Sequence, residues 1–145
     1  MRVLGTDPQP PPAAFVEENE LSMVRLDALL RESDFVTLHC DLNPTSFHLI
    51  GDAELKLMRP TAYLINTSRG PVVDEAALAR ALSQRRLAGA ALDVFEVEPL
   101  PEESPLRAFE NCLLAPHNAN CGRAARACVH ESTIAYLLAA LGEAG

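Results

Sequence analysis

Positive charge is scarce in this sequence of 145 residues. Lys and Arg number 12 against 20 Asp and Glu, which leaves a net charge of −8. With no basic patch, the chain is not expected to bind nucleic acid or an anionic membrane surface, because both select Lys/Arg clusters. Long apolar runs are missing too, so no transmembrane helix is predicted. The start Met1-Arg2-Val3-Leu4-Gly5-Thr6-Asp7 has no apolar stretch leading to a small-residue cleavage site, so no secretory signal is expected. The cysteines, Cys40, Cys112, Cys121 and Cys128, show no C-x-x-C spacing. Scattered thiols in such a chain fit a reducing cytoplasm better than a disulfide framework or a zinc site. Disorder is excluded by the 48% apolar content.

What is present is an alternation of short apolar runs with helical spacing. Strands are predicted at Val3–Thr6, Ser22–Val24, Phe35–Leu38, Ala62–Ile65, Gly89–Leu92 and Cys112–Ala115. Several of these runs are apolar throughout, the mark of strands in a parallel sheet covered on both faces. Between them, Leu26, Leu29 and Leu30 have i, i+3, i+4 spacing. Asp52 is predicted to cap a short helix carrying Leu55 and Met58, and Asp74 a longer one carrying Ala77, Leu78, Ala81 and Leu82. A last helix, from about 123 to 141, aligns His130, Ile134, Leu137, Leu138 and Leu141 on a stripe expected to face the core. The pattern reads as a doubly wound α/β domain. Pro10-Pro11-Pro12 and the stretch 99–105 are surface loops, neither long enough to divide the chain.

In open α/β sheets ligands bind outside the carboxyl ends of the strands. The predicted strands run out into Asp7, into His39, into Asn66-Thr67-Ser68-Arg69-Gly70, into Asp93 with Glu96 and Glu98 beyond, and into His117-Asn118-Ala119-Asn120. This gathers an Arg, a His and several carboxylates along one rim, the ingredients of an acid/base site with an anion-binding group.

The succession Ile65-Asn66-Thr67-Ser68-Arg69-Gly70-Pro71-Val72-Val73-Asp74, then Leu87-Ala88-Gly89-Ala90-Ala91-Leu92-Asp93-Val94-Phe95-Glu96-Val97-Glu98-Pro99, then Leu113-Leu114-Ala115-Pro116-His117, closely resembles the D-isomer-specific 2-hydroxyacid dehydrogenases. The likeness covers nearly the whole chain from Val3. It implies an NAD-linked oxidoreductase on a Rossmann-like fold. It implies a small 2-hydroxy or 2-keto acid substrate, such as 3-phosphoglycerate, hydroxypyruvate or glyoxylate, and a homodimer in full-length form. It further implies that Arg69 binds substrate, that His117 is the proton donor and acceptor, and that Glu98 is its acidic partner. Asp93 takes the place of the carboxylate near the nicotinamide carboxamide. Thr67, Ser68 and Arg69 sit where the backbone approaches the cofactor, and Asp7 takes the place of the acidic residue on the adenosine ribose. His39 is expected to line the cofactor cleft, and Asn120, where the sequence departs from the family after His117, is expected as a helix cap or a hydrogen-bonding group toward the cofactor.

The residue types suit that chemistry. A guanidinium offers planar, permanently charged donors to a carboxylate and to a carbonyl gaining negative charge. Histidine supplies a proton near neutral pH. A carboxylate beside it favours the imidazolium and fixes the tautomer. An acid at residue 7 accepts from a ribose 2′-OH and repels a 2′-phosphate, which favours NAD over NADP.

One departure from the family is large. The sequence has no G-x-G-x-x-G, and no segment matches the first strand, the glycine turn, the first helix or the substrate-binding domain. Residues 1–145 are therefore expected to form part of an NAD-binding domain, binding NAD weakly and turning over little alone. In the order 3-2-1-4-5-6 the first strand is central. The unit ending at Asp7 must then pair directly with the unit ending at His39, or leave open edges. A non-enzymatic NAD-binding module and an inactive remnant are the alternatives. Keeping Arg69, Glu98 and His117 together argues against the first, since a pure binding module needs no acid/base pair.

Overall fold

In a computed structural model, residues 1–119 and 121–142 are described. The strands are β1 (Val3–Gly5), β2 (Leu21–Met23), β3 (Phe35–Leu38), β4 (Tyr63–Asn66), β5 (Gly89–Leu92) and β6 (Cys112–Leu114). The helices are α1 (Ala13–Glu18), α2 (Leu26–Glu32), α3 (Asp52–Leu55), α4 (Glu75–Ser83) and α5 (Arg123–Gly142). Every predicted strand forms, with ends shifted by a residue or so. The helix α1 was not anticipated: it begins straight after Pro12, whose fixed φ suits a helix start.

The strands make two parallel sheets, β1-β2 and β3-β4-β5-β6. Of the two outcomes foreseen, the edges stay open: β1 and β3 do not pair. A charged link joins the halves: the guanidinium of Arg2, just before β1, donates to Glu32 of α2 at 2.7 Å.

The larger sheet is in register across all its strands, with Leu38 beside Asn66 and Asn66 beside Leu92. On one face Val36, Leu64 and Ala90 pack under Leu30, Leu55, Leu78 and Leu82 from the helices. The other face is covered far less, since Phe35, Tyr63 and Leu113 are exposed on it. Phe35 and Tyr63 stack there at 5.5 Å between ring centroids.

Helix starts follow local chemistry. Asp74 caps α4 as expected, accepting from the Ala77 amide at 2.8 Å. Asp52 does not cap α3. It is the first helical residue and pairs with Lys56 one turn on, while Glu54 reaches back to the Gly51 amide at 3.1 Å. A carboxylate suits either position, because both lie at the positive end of the helix.

The stripe on α5 also departs from expectation. Ile134, Leu137, Leu138 and Leu141 are all more than half exposed, and α5 has no buried residue. Apolar spacing defines which face a helix would bury, but burial needs a facing element. Among the described residues no helix is long and apolar enough to cross a membrane.

Candidate active site

The site grows from the carboxyl ends of β4, β5 and β6. At the end of β4, Asn66 is 1% exposed, a polar side chain inside an otherwise apolar core. Its Oδ1 accepts from the Ser68 amide and hydroxyl at 3.0 and 2.8 Å, and its Nδ2 donates to the Arg69 carbonyl at 3.0 Å. One buried amide thus holds the turn that presents Thr67 and Arg69 to solvent. The Arg69 guanidinium folds along this turn, donating to the Ser68 carbonyl at 2.7 Å.

Gly70 then lets this turn reach the loop after β5. A Cβ there would lie 1.9 Å from the Phe95 carbonyl carbon and oxygen, so only glycine permits the approach. The loop after β5 bends so that Glu98 Oε1 accepts from the Phe95 amide at 3.0 Å. Glu98 Oε2 meets His117 Nδ1 at 2.8 Å. A carboxylate is an acceptor only, so Nδ1 carries the proton and Nε2 is left free to face a ligand. The His117 imidazole, and after it the Phe95 amide, hold the Glu98 carboxyl below its ordinary range.

His117 itself has φ +53°, a left-handed conformation that costs a non-glycine residue energy. Asp93 holds it there. Asp93 is 5% exposed, and its two oxygens accept from the Asn118 and Ala119 amides at 2.8 Å each. Its carboxylate therefore ties the loop after β6 to the end of β5, and each oxygen keeps a lone pair for a ligand. Beside this loop lies a cleft of about 560 Å³ lined by Glu98, Leu100, Leu114, Pro116 and His117.

The structure thus puts Glu98 and His117 in direct contact. The turn that carries Arg69 abuts the Phe95 loop at Gly70, while the Arg69 guanidinium itself bonds the Ser68 carbonyl. Of the residues expected at the cofactor's far end, His39 follows β3 of the larger sheet and Asp7 follows β1 of the smaller one. Burial pushes the Cys40 thiol up; it shares a hydrogen bond with the Ser68 side chain and feels the Asp7 charge. Asp7, exposed, accepts from the Gln9 amide at 2.7 Å, closing a small turn. His39 folds back to Thr37, Nε2 to Oγ1 2.9 Å. Asn120 lies outside the described residues.

Sequence reasoning passed over Asn66 and Gly70 as working parts. Their signals were a polar residue closing the apolar run of β4 and a glycine before Pro71.

A family model for the D-isomer specific 2-hydroxyacid dehydrogenase, NAD binding domain, matches residues 1–119. The chain belongs to this dehydrogenase family. It is 46% identical over 125 residues to a glyoxylate reductase of Korarchaeum cryptofilum (strain OPF8), which covers 86% of this chain and 38% of that relative. A D-isomer specific 2-hydroxyacid dehydrogenase from Xanthobacter autotrophicus Py2, solved with NADPH and MES, superposes with a TM-score of 0.72 at 39% identity, over 79% of this chain and 47% of that one. The enzyme of the same family from Lactobacillus delbrueckii ssp. bulgaricus, in its NAD-complexed form, gives 0.74 at 31% identity, over 93% and 46%. The chain thus spans a little over a third of the length of the curated relative it matches.

The residues present fit a nicotinamide cofactor at two places. Near Glu98 and His117, an imidazole Nε2 without a partner among the described residues shares the sheet's rim with the Arg69 guanidinium. At Asp7, one carboxylate oxygen is left open beyond the end of β1. The sequence offers no glycine-rich turn for the pyrophosphate between them.

Proposed function

We propose that the chain carries the acid/base machinery of an NAD-dependent D-2-hydroxyacid dehydrogenase acting on a small 2-keto acid of the glyoxylate or hydroxypyruvate class. The observation that carries this reading is the 2.8 Å contact between His117 Nδ1 and Glu98 Oε2, on a rim that also presents Arg69. The similarity to a glyoxylate reductase favours the substrate class.

When bound, the cofactor supplies the hydride. The chain's own residues do the rest. Arg69 neutralises the substrate carboxylate and orients its carbonyl. His117 gives its Nε2 proton to the carbonyl oxygen as charge builds there, and takes it back in the reverse direction. Glu98 keeps Nδ1–H in place throughout, so the ring stays aimed and the positive charge it bears is balanced. Asp93, Thr67 and Ser68 shape the nicotinamide end, and His39 lines the cleft. The open oxygen of Asp7 accepts from the adenosine ribose, which favours NAD over NADP.

Reduction of glyoxylate and hydroxypyruvate by NADH, followed by loss of NADH absorbance, tests the reading. His117→Ala is expected to lower turnover by about 10²–10⁴-fold, the usual contribution of a general acid. NADH binding, read by its fluorescence, should be kept. Unchanged turnover in that variant would overturn the assignment.

A further inference from the structure

Behind the Glu98–His117 pair lies a second set of carboxylates that the reaction does not use. The Glu75 amide donates to Glu96 Oε1 at 2.9 Å, and the Glu96 amide donates to Glu75 Oε1 at 2.6 Å. Each glutamate thus accepts the other's backbone N–H, and the first residue of α4 is clasped to the loop after β5. We infer that this reciprocal clasp makes Glu96 and Glu75 positioning residues, which set the Glu98 carboxylate against His117. The inference rests on the reading of His117 as the proton donor.

The geometry explains how the clasp acts at a distance. Phe95 and Glu96 present successive N–H groups, the first to Glu98 and the second to Glu75. Gly70 presses on the same segment from another side. The plane and position of this backbone therefore decide where the Phe95 amide points. Glu98 has little else to hold it. Its side chain is 36% exposed, and among the described residues its anchors are the Phe95 amide and His117. An exposed carboxylate without a fixed donor samples several rotamers, and its partner imidazole then loses its tautomeric preference.

The clasp is built at an electrostatic cost, which argues for a task beyond joining two elements. Glu75, Glu96 and Glu98 crowd together, and burial together with the neighbouring carboxylates pushes Glu75 up. Two features offset this. The N-terminus of α4 offers its orphan N–H groups and positive dipole end to Glu96. His48 Nε2 lies 3.2 Å from Glu96 Oε1, close enough for an ion pair but off the line of a hydrogen bond. Imidazoles thus sit at both ends of the row, His48 at Glu96 and His117 at Glu98.

The tautomer of His117 is the readout, because a purely structural role would not move it. Long-range proton–nitrogen NMR correlations of the ¹⁵N-labelled chain, recorded on the neutral ring, resolve the ring nitrogens. The His117 signals are those missing from His117→Ala. In the native chain His117 is expected in the Nδ1–H form alone. Glu96→Ala should bring in the Nε2–H form, and Glu96→Gln, which keeps the acceptor oxygen, should restore the native state. Glu75→Ala tests the other half of the clasp and stands in if Glu96→Ala does not fold. A fixed Nδ1–H tautomer in a folded Glu96→Ala or Glu75→Ala chain would overturn the inference, as would failure of Glu96→Gln to restore it. This outcome is independent of turnover. If His117 were not the proton donor, His117→Ala would leave turnover unchanged while the tautomer still answered to the clasp.

Discussion

The two sheets of this chain are built on the same βα grammar and differ in almost everything that follows from packing. The four-stranded sheet supplies a continuous core that runs from Leu30 to Cys112. The β1-β2 pair supplies none of that core, and its Val3 is 41% exposed. Yet both halves place polar residues at their carboxyl ends: Arg69, Glu98 and His117 on the large sheet, Asp7 on the small one. The lesson is that position on a rim follows from topology, while rigidity follows from the core beneath. The acid/base pair sits on the supported half, where the second contacts of Asp93 and Gly70 are themselves buried. Asp7 sits on the half with little beneath it.

Substitution can break this contrast. Leu64→Ala, at a fully buried position of β4, is expected to cost roughly 2–5 kcal/mol of stability, the range for truncation in a tight core. A midpoint in urea unfolding close to the native one would show that the large sheet is not the stabilising unit. Gly70→Ala comes next, at about 3 kcal/mol, because the added methyl meets backbone rather than a movable side chain. It should also part the Arg69 turn from the Phe95 loop, seen as shifted amide resonances at Glu98 and His117. Val3→Ala on β1 is expected within about 0.5 kcal/mol of the native chain. Amide hydrogen exchange sharpens the point: β1 and β2 should exchange faster than β4 and β5. Equal protection across all four strands would erase the distinction.

The smallest effects are electrostatic. The Glu75 carboxyl is raised above its ordinary 4.5, so the folded state holds a proton more tightly than the unfolded one. Its contribution to stability is then complete below that value and is lost as pH rises through the raised one. Glu75→Gln should therefore be slightly more stable than the native chain at neutral pH, with no advantage in acid. A lower urea midpoint at neutral pH would count against it. Glu98 has the opposite sign. Its carboxyl is held low, so the stability of the His117 pair is present above 4.5 and fades as pH falls through the lowered value.

Much of the fold was legible. The apolar runs of β3 to β6 are read directly, although Phe35, Tyr63 and Leu113 leave one face of the sheet open where the runs pointed to cover on both. Asp74 was recognisable as a cap because a short acceptor before an apolar stripe suits that position, though the same pattern at Asp52 gave the first helical residue instead. For the site, likeness to the dehydrogenases pointed to Glu98 and His117, and the structure joins them. Asn66, Gly70 and the Glu75–Glu96 clasp were not legible. Each depends on which backbone groups meet across loops that are distant in sequence, and no local spacing encodes that. The stripe on α5 misled for the same reason.

The amino-acid order alone determined which segments are extended, which are helical, and which polar residues end each strand, because backbone sterics and apolar periodicity act over a few residues. Only the tertiary structure decided that β1 and β3 stay apart, that α5 lies open, and that one buried amide and one glycine set the turn carrying Arg69 against the Phe95 loop. Those outcomes rest on contacts between remote segments, where close packing selects a single arrangement from many that the local pattern would allow.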